Sequence, residues 1–122
     1  MAKKEKTVLY AEDEFTNRKL LQIKLKNLGV TCDLAQDGVQ AFEMYEQNPY
    51  SLVILDQYMP GMNGDEVARK IREKNREIPL IAITSDDREV EKLKKAGFNE
   101  IFIKPLRGNS YINIIYSYLH KG

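Results

Sequence analysis

Carboxylates dominate the chemistry open to this chain. Glu12-Asp13-Glu14 follow one short apolar run and Asp56 follows another. Thr84-Ser85 close a later run, and Lys104-Pro105 close the last. If these runs are parallel strands of one sheet, their carboxyl ends share an edge, and open α/β sheets bind ligands at that edge. Asp56 beside Glu12 and Asp13 would then suffer like-charge repulsion, which raises carboxylate pKa values and costs stability. A hard cation relieves it. Mg²⁺ suits, because it takes one or two carboxylates, keeps waters and bridges to phosphate oxygens. Lys104 adds a compact positive charge that can pair with an incoming phosphoryl group. Thr84 offers a hydroxyl donor to another phosphoryl oxygen, and the small Ser85 leaves room for entry. A carboxylate nucleophile with a metal, a cation and a hydroxyl donor can form an aspartyl phosphate. Phosphoryl transfer asks little more than such positioning and charge neutralisation. Taken singly, each residue has a plainer reading. Acids cap helices, Asp56 would open a turn, Thr84 would end a strand, and Lys-Pro would be loop. Their conjunction, at one strand end after another, favours a site.

The elements that must position these residues are legible. Apolar runs at 7–11, 31–35, 51–55, 79–84 and 100–104 are short, partly β-branched and bounded by turn residues, so they predict strands. VLYA, LVIL and LIAI are almost continuously apolar, as in parallel strands buried on both faces. Helical patterns lie between them. The first spans 15–28, with Leu21, Leu25 and Leu28 on one face and Gly29 as a stop. The second spans 39–47. The third begins near Asp65 with Val67 and Ile71 on one face. The fourth spans 87–96, where Glu91 and Lys95 form a favourable i,i+4 pair, and stops at Gly97. The fifth spans 110–120. Its YINIIYSYL is strand-like in composition, but its place after the fifth strand favours helix. Strand–helix alternation five times over predicts an open α/β fold with right-handed crossovers.

Composition bounds the rest. A chain of 122 residues is one domain against a prior of roughly 150 per domain. The 43% hydrophobic and 30% charged residues are ordinary for a soluble globular protein. A net charge of +1 gives no field to hold nucleic acid or an anionic membrane. One cysteine excludes an internal disulfide, and one histidine argues against a histidine metal site or a Ser-His-Asp triad. No apolar run is long enough to span a bilayer. The opening MAKKEK lacks the apolar segment of a signal peptide, so the cytoplasm is the expected location.

The sequence resembles the receiver domains of two-component response regulators and of hybrid histidine kinases, over essentially its whole length. The residues that carry the resemblance are Glu12-Asp13, Asn17-Arg18, Asp37-Gly38, LVILDQYMPGMNG at 52–64, IAITS at 81–85, Ala96-Gly97 and Lys104-Pro105. Asn17-Arg18 and the KPL ending look most like hybrid-kinase and phosphorelay receivers. The resemblance implies a doubly wound, flavodoxin-like α/β fold with strand order 2-1-3-4-5, filling residues 1–122 as a single receiver domain. It implies a signalling switch rather than an enzyme. Asp56 would be the phosphoacceptor. Asp13, Glu12, Asp56 and the Tyr58 backbone carbonyl would hold Mg²⁺. Thr84 and Lys104 would bind the phosphoryl group, and the peptide before Pro105 is often cis in such domains. The donor would be a phosphohistidine on a sensor histidine kinase or a histidine phosphotransfer protein. Phosphorylation would pull Thr84 inward. It would also remodel the face of the fourth helix, fifth strand and fifth helix, which a downstream protein would read.

Departures from the family pattern matter. The aromatic switch position, three before the lysine, holds Ile101, with Phe102 after it and Tyr111 as another ring that could stand in. The segment from Thr84 to Gly97 looks short. Tyr58 is bulky, and Asp86 adds charge; both border the path of an attacking water. Cys32 reads as a buried core residue and His120 as a solvated helix end. The tyrosines of the last helix, Tyr111, Tyr116 and Tyr118, with its isoleucines, exceed what one buried face needs, so a partner or a dimer contact is expected there. The GMNG segment at 61–64 is loop, without the lysine or spacing of a phosphate-cradling loop. Three other functions compete. A haloacid-dehalogenase-like phosphatase wants a second acid where Tyr58 stands. A mononucleotide binder wants a hydroxyl-rich loop where Glu12-Asp13-Glu14 stand. A receiver fold free of phosphorylation would not need the intact site. The opening Met and the lack of a linker after His120 suit a free-standing regulator, while the hybrid-like motifs suit an excised domain.

Overall fold

The computed structural model describes residues 6–120. Most of the polar MAKKEK segment, residues 1–5, lies outside them, as do residues 121–122. Along the chain run β1 (Thr7–Ala11), α1 (Phe15–Lys26), β2 (Thr31–Ala35), α2 (Gly38–Gln47), β3 (Leu52–Asp56) and α3 (Gly64–Lys74). Then come β4 (Leu80–Thr84), a 3-10 turn (Asp87–Glu89), α4 (Val90–Ala96), β5 (Glu100–Ile103) and α5 (Ser110–Leu119). The strands form one parallel sheet in the expected order, β2-β1-β3-β4-β5. The apolar runs at its centre are explained by helices on both faces. Every residue of β3 and β4 is buried, while β2 and β5 at the edges are only partly so.

Strand alternation divides the core in two. Leu9, Val53, Leu55, Leu80 and Ala82 face α2, α3 and α4, meeting Ala41, Val67, Ala68, Ile71 and Leu93. Val8, Tyr10, Leu52, Ile54, Ile81 and Ile83 face α1 and α5, meeting Leu21, Leu25, Ile112 and Ile115. Cys32 lies in this second core as expected.

Several boundaries differ from the sequence pattern, for physical reasons. The first helix ends at Lys26, so Leu28 is not on its buried face but 43% exposed. Gly29 at φ 77° turns the chain, and the Val30 amide reaches back to the Leu25 carbonyl, closing a left-handed cap. The fourth helical stretch splits. The Asp86 carboxylate accepts the Arg88 amide, and the Glu89 amide bonds the Asp86 carbonyl, so the first turn tightens to 3-10 and the α-helix starts at Val90. Glu91–Lys95 is not among the ion pairs of the described residues; Lys92 instead reaches Asp65 and Glu89. The strand-like last segment is helical, because Tyr111, Ile112, Ile115 and Leu119 form a helical stripe buried on the sheet. Among the described residues no helix is long and apolar enough to cross a membrane.

One tie was invisible in the sequence. The Arg72 guanidinium on α3 donates to the carbonyls of Gly97, Asn75 and Ile78 and to Asn99 Oδ1. It thereby joins the ends of α3 and α4 to the start of β4, since Asn99 Oδ1 also accepts the Leu80 amide. Lysine keeps the charge but loses the planar fork. Arg72→Lys is expected to destabilise the protein by about 2 kcal/mol in urea unfolding, because partly buried carbonyls lose their donors.

Candidate functional site

Sheet register brings the strand-end residues together. Ala11 pairs with Leu55, which sets Glu12 beside Asp56. Asp56 pairs with Ile83, so Thr84 is one step further on; Thr84 pairs with Ile103, so Lys104 follows. The ladder continues past the strands through Glu12 N–H to Ala35 O, Gln57 N–H to Ile83 O and Lys104 N–H to Thr84 O, which pins all three ends.

The Lys104 ammonium lies 3.0 Å from Asp56 Oδ2 and 3.2 Å from Glu12 Oε1, bridging the two carboxyls. Asn17 on α1 donates to the same Glu12 oxygen at 3.1 Å, and Arg18 donates to the Glu12 backbone carbonyl at 2.7 Å. Asn17-Arg18 therefore hold Glu12 in place. The plainer capping reading of Glu12-Asp13-Glu14 does not hold. Glu14 occupies the N-cap of α1 with no side-chain cap bond. Asp13 is exposed, with its carboxylate turned to the cluster. Glu12, Asp13 and Asp56 each bring one carboxylate oxygen within 4.8 Å of the others.

Burial raises the Asp56 carboxyl to about 7, and the neighbouring Glu12 adds to the rise while Lys104 opposes it. Burial also works against a charge on Glu12, but hydrogen bonds with Asp56, Lys104 and Asn17 outweigh it and hold Glu12 below its ordinary value. The two carboxyls titrate together, Asp56 being the one pushed up and Glu12 the one held down.

The residues fit a hard cation. The donors are three carboxylates, the set such ions prefer. Among the described residues Glu12 Oε2 is buried with no hydrogen-bond partner, and a cation or its water would relieve the cost of that burial.

Thr84 is fully buried at the predicted place, but its Oγ1 accepts the Asp86 amide at 3.1 Å and makes no hydrogen bond to Asp56 or Lys104. Ser85 beside it is exposed. Ile101 packs toward α3 and α4, whereas Phe102 lies on the opposite face, edge-on to Tyr111 at 6.2 Å. Strand alternation therefore prevents Phe102 from taking the place of an aromatic ring at 101. Tyr58 is exposed and donates to Glu89 Oε1 at 2.6 Å, tying the β3–α3 loop to the 3-10 turn. Lys104-Pro105 is cis, as the resemblance implied.

Two supports escaped the sequence reading. Gln57 is fully buried, and its side chain accepts the Asp65 amide and donates to Asp65 Oδ1, while its carbonyl accepts the Gly64 amide. This clamp fixes the start of α3 against the end of β3. Asp65 is buried and also meets Arg69 at 3.0 Å, so it serves α3 rather than the acidic cluster. Its only sequence signal was an amide one residue after Asp56 and an acid opening a helix. Gly64 is the second: a Cβ there would lie 2.5 Å from the Asp56 carbonyl oxygen.

Comparison with known proteins agrees with this fold. Residues 8–116 match the family model for the response regulator receiver domain. The chain is 41% identical over 102 residues to the sensor protein EvgS of Escherichia coli, covering 82% of this chain and 8% of that protein's length. It is 32% identical over 119 residues to two-component response regulator 24 of Arabidopsis thaliana, covering 95% of this chain and 86% of that protein. Its fold superposes on the response regulator TrrA of Thermotoga maritima, solved in complex with Mg²⁺-BeF, with TM-score 0.85 and 31% identity. That match covers 93% of this chain and 98% of TrrA. The chain belongs to the receiver-domain family of two-component systems, whose known role is a switch worked by phosphorylation of an aspartate.

Proposed function

We propose that Asp56 is the phosphoacceptor of this switch and takes its phosphoryl group from a phosphohistidine on a sensor histidine kinase or histidine phosphotransfer protein. The observation that carries the reading is Lys104, whose ammonium bridges Asp56 and Glu12 at the carboxyl edge of the sheet. An Asp56 carboxylate oxygen attacks phosphorus. The O–P bond forms as the N–P bond breaks, and its electron pair returns to the imidazole. Lys104 then turns from Asp56 toward a phosphoryl oxygen, and Thr84 leaves the Asp86 amide to donate its hydroxyl to another. Glu12, Asp13, Asp56 and the Tyr58 carbonyl would hold Mg²⁺, which when bound neutralises charge gathering on the phosphoryl oxygens. Loss of the Asp56 proton must precede attack.

The partner histidine supplies the group and this chain receives it, so the chain acts as a switch rather than as an enzyme with turnover of its own. The face of α4, β5 and α5 is the natural output surface, because Ile103 and Tyr116 are each 40% exposed there. A downstream protein, or a second copy meeting the last helix, would cover them. Tyr118 is partly engaged within the chain, donating to Glu100 at 2.9 Å. Near-neutral charge argues against nucleic acid or membrane as the partner. The lone reduced cysteine suits the cytoplasm.

Intact mass after incubation with Mg²⁺ and acetyl phosphate tests the reading. One phosphoryl adduct is expected on the wild type, and none on Asp56→Asn or without Mg²⁺. An adduct retained by folded Asp56→Asn would remove Asp56 from the role. Tyr58 lies two residues after Asp56 and is tethered to Glu89, so its ring is placed to screen the acyl phosphate from water. Tyr58→Ala is expected to lose the phosphoryl group several-fold faster once the donor is removed. An unchanged lifetime would rule out screening.

A further inference from the structure

Two loops leave neighbouring strands at the carboxyl edge of the sheet. One runs from Asp56 to the start of α3, the other from Thr84 through the 3-10 turn into α4. A side-chain bond joins them, since the Tyr58 hydroxyl donates to Glu89 Oε1 at 2.6 Å. Such a bond between two loose side chains would contribute little, because both must be ordered to make it. Glu89 is not loose. Its side chain is only 17% exposed, and Lys92 lies 3.7 Å from its other oxygen. The same ammonium lies 3.7 Å from Asp65 Oδ2, which ties Glu89 to the start of α3. The Glu89 amide donates to the Asp86 carbonyl, and the Asp86 amide donates to Thr84 Oγ1. Tyr58, by contrast, is 47% exposed, so its ring depends on Glu89 for its orientation.

We propose that Glu89 is a positioning residue for the phosphoryl site: through the Tyr58 hydroxyl it holds the ring beside Asp56 and sets the lifetime of the acyl phosphate. The role rests on Asp56 being the phosphoacceptor. Loss of the group is hydrolysis. A water oxygen bonds to phosphorus as the bond from phosphorus to the Asp56 oxygen breaks. The electron pair returns to the carboxylate, and both water hydrogens leave on dihydrogen phosphate. Water must approach phosphorus opposite the departing oxygen, and a freely swinging ring bars that approach for only part of the time. A ring tied to Glu89 bars it throughout. When Thr84 turns to the phosphoryl group, the Asp86 carbonyl and carboxylate still hold the 3-10 turn. The grip on Tyr58 therefore outlasts phosphorylation.

Phosphoryl lifetimes after removal of acetyl phosphate, read by intact mass, test the role. Glu89→Ala is expected to shorten the lifetime roughly twofold to fivefold, within the worth of one hydrogen bond. Tyr58→Phe keeps the ring, loses the hydroxyl and should do the same, and the double variant should be no faster than either. Glu89→Gln keeps an acceptor oxygen and should retain most of the wild-type lifetime. A second readout needs no phosphoryl group. The NMR signal of Tyr58 Cζ, assigned by its loss in Tyr58→Phe, should move in Glu89→Ala and far less in Glu89→Gln. Additive lifetimes in the double variant would show that Glu89 acts other than through Tyr58, and would overturn the role. So would a Tyr58 signal unmoved in Glu89→Ala, or a lifetime shortened by Tyr58→Ala but not by Glu89→Ala. The Asp56 reading survives each of these. A wild type without an adduct overturns the Asp56 reading, and the Glu89 role with it.

Discussion

Gly64→Ala is expected to cost about 3 kcal/mol of folding stability and to abolish Mg²⁺ binding at the acidic cluster. The methyl group would stand 2.5 Å from the Asp56 carbonyl oxygen and 3.2 Å from the Gln57 Cα. Both are backbone atoms held by sheet bonds, so neither yields cheaply. Relief requires α3 to move away from the end of β3, which breaks the Gln57–Asp65 clamp and shifts Asp56 itself. Gly38 faces a similar obstacle, with Met62 O only 1.9 Å from where its Cβ would be. Gly108 is the control. It has φ +65° but nothing within 4 Å, so alanine there bears only the left-handed backbone penalty of roughly 1 kcal/mol. Urea unfolding with calorimetric Mg²⁺ titration separates the cases. A Gly64→Ala protein as stable as Gly108→Ala would show that α3 can retreat at no cost.

The second large effect is on pH. Relative to Asp56→Asn, the wild type is expected to lose stability as pH rises from about 4 to about 7. Asp56 ionises at 3.8 when unfolded and at about 7 when folded. Between those values the folded chain holds a proton that the unfolded chain has released, so rising pH favours unfolding. The contribution is complete below the lower value and gone above the upper one. Glu12 and Asp65, with lowered pKa values, run the other way, which is why the difference from Asp56→Asn is the proper readout. That difference should be about 4 kcal/mol across the window. Adding Mg²⁺ above pH 7 should restore stability to the wild type by binding the folded state alone, and should do so far less for the variant. Equal pH profiles for the two proteins would show that Asp56 ionises normally. Thermal unfolding in matched buffers measures both.

Much of the arrangement at the strand ends was legible in the sequence. Acids, a hydroxyl and a lysine ended successive strand patterns, and parallel strands place such ends on one edge. Asp37-Gly38 carried only the family resemblance, and the Asp37 carboxylate proves to cap α2 by accepting the Gln40 amide at 2.8 Å. Local signals of this kind survive because neighbours in sequence are neighbours in space. The errors fell where a distant residue outweighed local pattern. Leu28 fitted the helical stripe but lost its place when Gly29 turned the chain. Glu91 and Lys95 fitted an ion pair, but Lys92 found Asp65 on another helix.

Sequence alone determined the five strands, the alternation that demands helices on both faces, and the residue types at each strand end. Those follow from side-chain periodicity and turn chemistry, which are properties of short segments. Only the tertiary structure decided that Gln57 clamps Asp65, that Arg72 ties α3 to α4, and that Gly64 must lack a side chain. It also decided that Thr84 turns to Asp86, and that Glu12 and Asp56 meet under Lys104. Each depends on the approach of segments far apart in the chain, and on burial that makes charge and clash expensive. Neither is a property of any one segment.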